Sequence, residues 1–254
     1  MAKGKSKKLS TNHIAHLTKG AYVMGGKKDG KKKRVKDTQK AVGKTDYIVN
    51  SKYSDSGVTV YQHKNDAKNV VISHRGTAVG GKKGFTDLIN DISFSAGFTP
   101  GYKKRFNQRK RTSERVIRDL KPTSLHVSGH SLGGATANHS VSKSKLIRDN
   151  LTSLNTFNAA THPVLNKELR ISKTEKAKLK GKVTHHRIEN DSVSLGARVR
   201  SPFGGTVKTR KNPNPPKKTK GFLKKTIGKA PVVRALKATK ESIDAHSLDN
   251  FIEK

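Results

Sequence analysis

The feature that most constrains this chain is a short apolar strand that runs directly into a serine flanked by glycines. Leu125-His126-Val127-Ser128 predicts a strand, Gly129-His130-Ser131-Leu132-Gly133 follows without a linker, and Leu132 to Leu146 predicts a helix of small residues. Glycines allow a sharp turn of the backbone and leave space beside the serine. This strand-turn-helix setting is typical of a nucleophile elbow, so Ser131 is the candidate nucleophile and Gly129, His130 and Gly133 are the candidate elbow residues.

Strands and helical segments alternate along the rest of the chain. Further strands are predicted at Tyr47-Ile48-Val49, Val58-Thr59-Val60-Tyr61, Val70-Val71-Ile72, Leu151 to Phe157 and Val183 to Ile188. Helical spacing of apolar residues occurs in Phe85 to Phe94 and in Tyr102 to Leu120. The alternation predicts an α/β fold with a mainly parallel central sheet flanked by helices.

Charge divides the chain into parts. Lys and Arg number 55 against 18 Asp and Glu, which gives a net charge of +37. Residues 1–44 are predicted to be a mostly flexible basic arm, in which Ile14 to Met24 forms a short helix over the sheet edge. Residues 45–254 form the predicted single domain, interrupted by a basic insertion at about 205–240 that has no acidic residue.

A serine nucleophile needs a histidine base, which in turn is oriented by a carboxylate. In α/β-hydrolases these follow in the order serine, acid, histidine. Asp191 comes directly after the strand Val183 to Ile188 and is the favoured acid. Glu189 is the alternative, and Asp149 is better explained as an acid at the end of a helix.

Eleven histidines are present, and the chain order excludes the six that precede Ser131. Of the five that follow, His139 lies in the predicted helix after the elbow, His162 precedes a proline, and His185 and His186 lie within a predicted strand. His246 near the C-terminus remains as the candidate base, with an ordinary surface histidine as the alternative. The 55 residues between Asp191 and His246 require the chain to fold back across the basic insertion.

Several segments resemble the class 3 lipases. The resemblance is carried by Val127 to Ala135, by Val70 to Thr77 with Arg75-Gly76-Thr77 at its end, by Asn190 to Ser194, and by Ala245 to Phe251, where Phe251 occupies a position that is often Tyr in the family. It covers the chain from about Asp46 to Phe251.

The resemblance implies an α/β-hydrolase that cleaves carboxylic esters of lipids through an acyl-enzyme, without a metal or organic cofactor. It also implies an oxyanion hole formed by Thr77 and by the backbone amide of Leu132. The segment Gly80 to Phe98, with hinge glycines and an apolar face, corresponds to the family's lid, although the same face could equally pack on the core.

The excess positive charge predicts an anionic partner. An anionic membrane surface would make phospholipid a better substrate than neutral fat, and the same charge would bind nucleic acid without sequence preference. A protein that packs beside nucleic acid and also cleaves lipids would suit a virus particle or the host cytoplasm. The competing hypothesis is a non-catalytic nucleic-acid-condensing protein with a retained hydrolase fold.

Other partners and compartments are less constrained. The sequence shows no apolar signal segment and no stretch of about 20 apolar residues, so a soluble or peripheral protein is expected. Cysteine is absent, which excludes cysteine catalysis and disulfides. No obligate protein partner is predicted.

Overall fold

The computed structural model describes residues 9–26, 29–77, 100–160, 168–189, 191, 203–213 and 244–253. In chain order the elements are α1 (Thr11–Met24), α2 (Lys31–Ala41), β1 (Tyr47–Val49), β2 (Val58–His63), β3 (Asp66–His74), α3 (Pro100–Leu120), β4 (Ser124–His130), α4 (Leu132–Lys143), α5 (Lys145–Asn150), β5 (Leu151–Phe157), α6 (Lys173–Lys178), β6 (Val183–Ile188), β7 (Thr206–Arg210) and a 3₁₀ helix (Leu248–Phe251). All the strands predicted from the sequence are present.

The seven strands form one sheet whose spatial order is the order of the chain. β1, β2 and β3 pair antiparallel, and β3 to β7 pair parallel. The register aligns His74 with Gly129, His130 with Phe157, and Phe157 with His186. The mainly parallel sheet with flanking helices is therefore confirmed, and the carboxyl ends of β3 to β6 meet at one edge.

Both faces of the sheet are covered, as the residues of β3 illustrate. Val70 and Ile72 belong to a buried cluster with residues of α3, α4 and α5. Val71, between them, packs instead with Leu17 of α1. Successive side chains of a strand point to opposite faces, so helices lie on both sides of the sheet.

The first helix is more closely integrated than the sequence predicts. In place of a mostly flexible arm with one short helix at the sheet edge, residues 9–26 and 29–41 contain α1 and α2, and α1 lies across β2 to β5. The reason is that Ile14, Leu17 and Ala21, three to four residues apart, form a fully buried face of α1. The hydroxyl of Ser10 caps the helix by accepting a hydrogen bond from the backbone N–H of His13.

The helix predicted over Leu132 to Leu146 is divided in two. Ser144 has extended backbone (φ −126°, ψ 112°), which ends α4, and its hydroxyl accepts a hydrogen bond from the backbone N–H of Ile147 at the start of α5. The serine hydroxyl thus provides an acceptor for a backbone N–H that has no partner within the helix.

Strand β7 was not predicted, because it lies where the sequence indicates the start of the basic insertion. Its residues pair parallel to β6 but are all exposed, so no alternating apolar pattern marks it. The β-branched residues Thr206, Val207 and Thr209 were the available signal. Residues 214–240 of the insertion and the predicted lid, Gly80 to Phe98, lie outside the described residues, as does the predicted helical segment Phe85 to Phe94. Of the helices that are described, none is both long and apolar enough to cross a lipid bilayer.

Candidate active site

Ser131 occupies a sharp turn between β4 and α4. Its backbone has φ 58° and ψ −128°, a conformation that non-glycine residues rarely adopt. The turn is held by two backbone hydrogen bonds, from Ser131 N–H to the carbonyl of Phe157 at 3.1 Å and from Ala160 N–H to the carbonyl of Ser131 at 3.0 Å. The strained serine is therefore fixed by the neighbouring strand β5.

Two glycines make the turn sterically possible. A Cβ atom on Gly129 would lie 2.2 Å from the carbonyl oxygen of Gly133, and one on Gly133 would lie 2.1 Å from the carbonyl oxygen of His74. Both neighbours are backbone atoms, which cannot move aside as a flexible side chain can. The glycines thus allow β3, β4 and α4 to approach closely around Ser131.

A buried acid-histidine pair lies at the same edge of the sheet. His246 Nδ1 and Asp191 Oδ1 are 2.8 Å apart, and the side chains are 5% and 0% exposed. Asp191 lies just beyond β6, where its backbone N–H donates to the carbonyl of Ile188. Asp191 and His246 are 55 positions apart in the sequence, so the chain folds back to bring them together.

The backbone around His246 is bound to residues that flank the elbow. His130 Nε2, one residue before Ser131, contacts the carbonyl oxygen of His246 at 2.7 Å. Asn158 Nδ2 donates to the carbonyl of Ala245 at 2.9 Å. Two successive carbonyls of the segment around His246 are thus held by residues at the ends of β4 and β5.

Asn158 is a residue that the sequence reasoning missed. It follows β5 with φ 41°, and its Oδ1 accepts a hydrogen bond from the backbone N–H of Ile188 in β6. One side chain therefore connects the end of the strand before Asp191 to the segment that carries His246. A polar residue at the carboxyl end of a parallel strand was the signal that could have identified it.

Apolar side chains also pack against the rest of the fold in the segment around His246. Ala245, Leu248 and Phe251 are buried together with Ile14 of α1, and the rings of Phe251 and Phe157 lie 5.1 Å apart. Phe251, which takes the position of the family's frequent Tyr, thus fills the core with its ring.

Ser131 is 1% exposed, and its buried hydroxyl makes no hydrogen bond to any described residue. The structure therefore brings the His246 segment to the elbow without joining Ser131 Oγ to it by a hydrogen bond. Catalytic hydrogen bonds are often long without substrate and shorten when it binds.

The candidate oxyanion residues flank Ser131 on both sides. A Cβ on Gly76 would lie 2.6 Å from the His130 carbonyl oxygen and 3.2 Å from Ser131 Cβ, so the chain leading to Thr77 passes directly beside Ser131. Thr77 is exposed, and Leu132 begins α4, where backbone amides have no partner within the helix. Both residues therefore lie next to Ser131 in the chain or in space.

Arg75 fixes the end of β3 in this position. Its guanidinium donates to the carbonyl of Gly25 at the end of α1 at 2.6 Å and to that of Ser56 at 3.2 Å. Arg109 of α3 donates to the carbonyl of Arg75 itself at 2.6 Å. Arg75 therefore fixes the backbone that leads to Gly76 and Thr77.

The alternative acids and bases have other partners. Asp149 lies in α5 and pairs with Lys145, and Glu189 is exposed. His139 contacts Asn107. In β6, His185 contacts Thr156 and His186 contacts Asn155, both of which are residues of β5. His162 and Asn190 lie outside the described residues. Among those described, no group of three or more histidine or acidic side chains could hold a metal ion.

The chain is similar to known lipases in sequence and in structure. A family model described as lipase (class 3) matches residues 58–194. Among solved structures, lipase II from Rhizopus niveus is similar over 76% of this chain and 75% of that one, with 19% identity and a TM-score of 0.47. A lipase from Rhizopus microsporus var. chinensis is similar over 80% and 75%, with 17% identity and a TM-score of 0.41. No curated protein sequence matches this chain.

The family match spans more than half of the 254 residues. It includes Thr77, Ser131 and Asp191 and ends before His246. Together with the mainly parallel sheet and its flanking helices, the match means that the chain belongs to the class 3 lipases and is a serine hydrolase of lipid esters.

Proposed function

We propose that the chain cleaves lipid esters with Ser131 as nucleophile, His246 as general base and Asp191 as the carboxylate that orients the base. The observation that carries the proposal is the buried contact of 2.8 Å between Asp191 and His246, on a segment bound to the residue before Ser131. A carboxylate can only accept, so the proton lies on Nδ1 and Nε2 is the basic nitrogen.

The reaction then follows from these positions. His246 Nε2 takes the Ser131 proton as Oγ attacks the ester carbonyl, and the same proton passes to the leaving alcohol when the carbon–oxygen bond breaks. Water, deprotonated by His246, next attacks the acyl-enzyme; the bond between the acyl carbon and Ser131 Oγ breaks, Oγ takes back the proton from His246, and the fatty acid is released. Asp191 stays ionised and stabilises the imidazolium that forms in each step.

Charge also develops on the carbonyl oxygen during both attacks. The backbone amide of Leu132 and the hydroxyl and amide of Thr77 are the proposed donors, because the Gly76 backbone and the start of α4 lie on either side of Ser131. No metal ion takes part in this proposal.

Ser131→Ala tests the nucleophile. We expect hydrolysis of a short-chain p-nitrophenyl ester to fall to background, because no other group in this scheme forms the acyl-enzyme. Ser140→Ala is the matched control, because Ser140 is a buried serine of the following helix whose hydroxyl has no described partner. Equal activity of Ser131→Ala and wild type would overturn the enzyme proposal.

The substrate that the charge distribution favours is an anionic phospholipid at a membrane surface. Helix α3 carries Lys104, Gln108, Arg111, Arg115 and Arg118 at spacings of four, three, four and three residues, which place them on one face. All five are exposed and line one open groove. Such a row can contact several lipid phosphates at once, each worth about 1 kcal/mol near an anionic bilayer.

This surface is tested by changing Lys104, Arg111 and Arg118 together to Gln, since none of the three forms an ion pair with a described residue. About 3 kcal/mol, or roughly a hundredfold, should be lost in affinity for phosphatidylglycerol vesicles. Turnover of the soluble ester should stay unchanged. The control removes three exposed lysines of α2, namely Lys31, Lys32 and Lys36, and thus an equal charge. Equal loss in both variants would contradict a specific surface.

Nucleic acid is the alternative partner, and a place in a virus particle would follow from it. A gel shift with duplex DNA across a salt titration distinguishes the two, because phosphate neutralisation gives a steep salt dependence. DNA binding that falls with the α3 variant, without any effect on vesicles, would replace the membrane by nucleic acid. The proposed lid at 80–98 remains a prediction.

A further inference from the structure

Tyr22 of helix α1 reaches the centre of the candidate active site. Its hydroxyl lies 2.7 Å from His130 Nδ1, closer than the 3.5 Å to the His130 carbonyl oxygen, and the two rings meet edge to face. The hydroxyl also bonds to the backbone of Gly76, where a Cβ would approach it to 2.5 Å. One hydroxyl thus touches the residue before Ser131 and the residue before Thr77.

The hydrogen bonds of His130 define where its proton lies. Burial lowers the pKa of His130 to about 3, so the ring is neutral and has one N–H. The carbonyl of His246 can only accept, so this N–H is on Nε2. Nδ1 is then a lone pair, and Tyr22 is the donor to it. Burial also raises the pKa of the Tyr22 hydroxyl, which keeps its proton.

Loss of the Tyr22 donor would affect His246 through this ring. The ring would lose its hydrogen bond at Nδ1, so its orientation, and with it the bond from Nε2–H to the carbonyl oxygen of His246, would be held less tightly. The rings of His130 and His246 also lie close, with centroids 4.7 Å apart. A shift of the His246 backbone therefore moves the imidazole that has to reach Ser131.

We propose that Tyr22 is a positioning residue for the general base: its hydroxyl donates to Nδ1 of His130 and fixes the orientation in which the Nε2–H of this ring binds the His246 carbonyl, and this holds the His246 ring beside Ser131. The inference rests on the proposed role of His246. It makes the first helix, which lies outside the segment matched by the family model, part of the catalytic apparatus.

Tyr22→Phe tests the proposal, with Tyr61→Phe as the matched control. The Tyr61 hydroxyl is also buried and donates to helix α1, to the carbonyl of Leu17 at 2.8 Å, but it does not touch His130. We expect Tyr22→Phe to lower kcat for the soluble ester by about tenfold, the equivalent of one hydrogen bond, with KM changed by less than about twofold. Tyr61→Phe should leave kcat within about twofold of wild type.

Substitutions of His130 provide a second measurement that does not depend on Tyr22→Phe folding well. In His130→Gln the amide can donate to the His246 carbonyl and accept from Tyr22, whereas His130→Leu can do neither. We expect the Gln variant to keep at least about ten times the kcat of the Leu variant at equal stability.

The outcomes separate this inference from the proposed function. Wild-type kcat in Tyr22→Phe, or equal kcat in the Gln and Leu variants, would overturn the positioning role while Ser131→Ala still abolished activity. Activity of Ser131→Ala would instead remove the proposed function itself.

Discussion

Ser131 and His246 reach the same edge of the sheet by different means. The turn at Ser131 is formed by residues close in sequence, between β4 and α4, and a Cβ atom on either of two of its glycines would lie 2.2 Å or less from a backbone atom. The segment around His246 is held instead by hydrogen bonds from distant residues, namely His130 and Asn158, and by the contact with Asp191.

The difference indicates which changes unfold the protein and which lower its turnover. The backbones of β3, β4 and α4 pack against one another at the elbow, and the same elements form the core. A side chain that does not fit there would therefore destabilise the whole domain. Each hydrogen bond to the His246 segment is worth about 1 kcal/mol, so its loss moves the base while the fold survives. The elbow should therefore be sensitive in stability and the base-carrying segment in kcat.

Gly133→Ala should have the largest effect. Its Cβ would lie 2.1 Å from the His74 carbonyl oxygen and 2.7 Å from Gly76 N, so β3 and α4 would have to separate. We expect a loss of more than about 4 kcal/mol in the free energy of unfolding, which leaves little folded protein. Urea unfolding followed by circular dichroism measures it.

Gly30→Ala is the control for that prediction. Gly30 precedes α2, has φ −61°, and a Cβ there meets no atom within 4 Å. The change should alter stability by less than about 1 kcal/mol. A cooperative, wild-type-like transition in Gly133→Ala would mean that the elbow is not built into the core as described.

Mild acid should destabilise both the elbow and the segment around His246, because buried histidines lie near each of them. Burial lowers the pKa of His74 to about 3 and of His126 to about 4 in the strands beside the elbow, and of His130 and His186 to about 3 near the base segment. Their folded pKa values lie below the unfolded value of about 6.5. The stability they support is therefore complete above pH 6.5 and is lost as the pH falls toward 4.

The measurement is the free energy of unfolding in urea at several pH values. Each such histidine contributes a slope that approaches about 1.4 kcal/mol per pH unit below pH 6.5, so the four together should lose about 7 kcal/mol between pH 6.5 and 5. Most carboxylates titrate below this window. A free energy of unfolding that stays constant from pH 7.5 to 5 would show that the imidazoles are not held neutral.

Asn158→Asp should separate turnover from stability. Aspartate keeps the acceptor for the Ile188 N–H and tolerates the positive φ, but it puts a carboxylate oxygen against the Ala245 carbonyl. We expect a loss of about 1–3 kcal/mol in stability and at least about a tenfold fall in kcat for the soluble ester.

Asn150→Asp is the matched control. Asn150 Nδ2 also donates to a backbone carbonyl, that of Leu146 at 2.9 Å, but at the end of α5, away from the site. It should lose stability without losing kcat. Equal kcat in the two variants would remove Asn158 from the positioning of His246.

The sequence predicts the elbow better than the surroundings of the base for the same physical reason. The elbow's glycines, strand and helix are adjacent in the chain, so local pattern is enough to locate Ser131. The parallel sheet also follows from local alternation of strands and helices. Tyr22 and Asn158 carry no such local pattern, because their importance comes from contacts with His130 and Ala245.

Charge obscured the docking of α1, which is predicted only as a short helix at the sheet edge, and the whole of strand β7. The Lys-rich composition of the first 44 residues indicates a flexible arm, yet three apolar positions one helical turn apart suffice to dock α1 on the sheet. Strand β7 gains its order from backbone pairing with β6 rather than from burial, which leaves no hydrophobic period in its sequence. In each case the contacts with the rest of the fold determine the structure of the element more than its own composition does.

The smallest effect is expected where α1 meets the base-carrying segment at the surface. Lys19 Nζ lies 2.5 Å from Asp249 Oδ1, but the side chains are 53% and 64% exposed, so water and salt screen the pair. Lys19→Gln should therefore cost less than about 0.5 kcal/mol and leave kcat unchanged at low and high salt. Lys19 is the partner to change, because the Asp249 carboxylate also accepts a hydrogen bond from the Ser247 hydroxyl. A several-fold fall in kcat for Lys19→Gln would mean that the surface ion pair, and not the buried hydrogen bonds of His130 and Asn158, sets the position of His246.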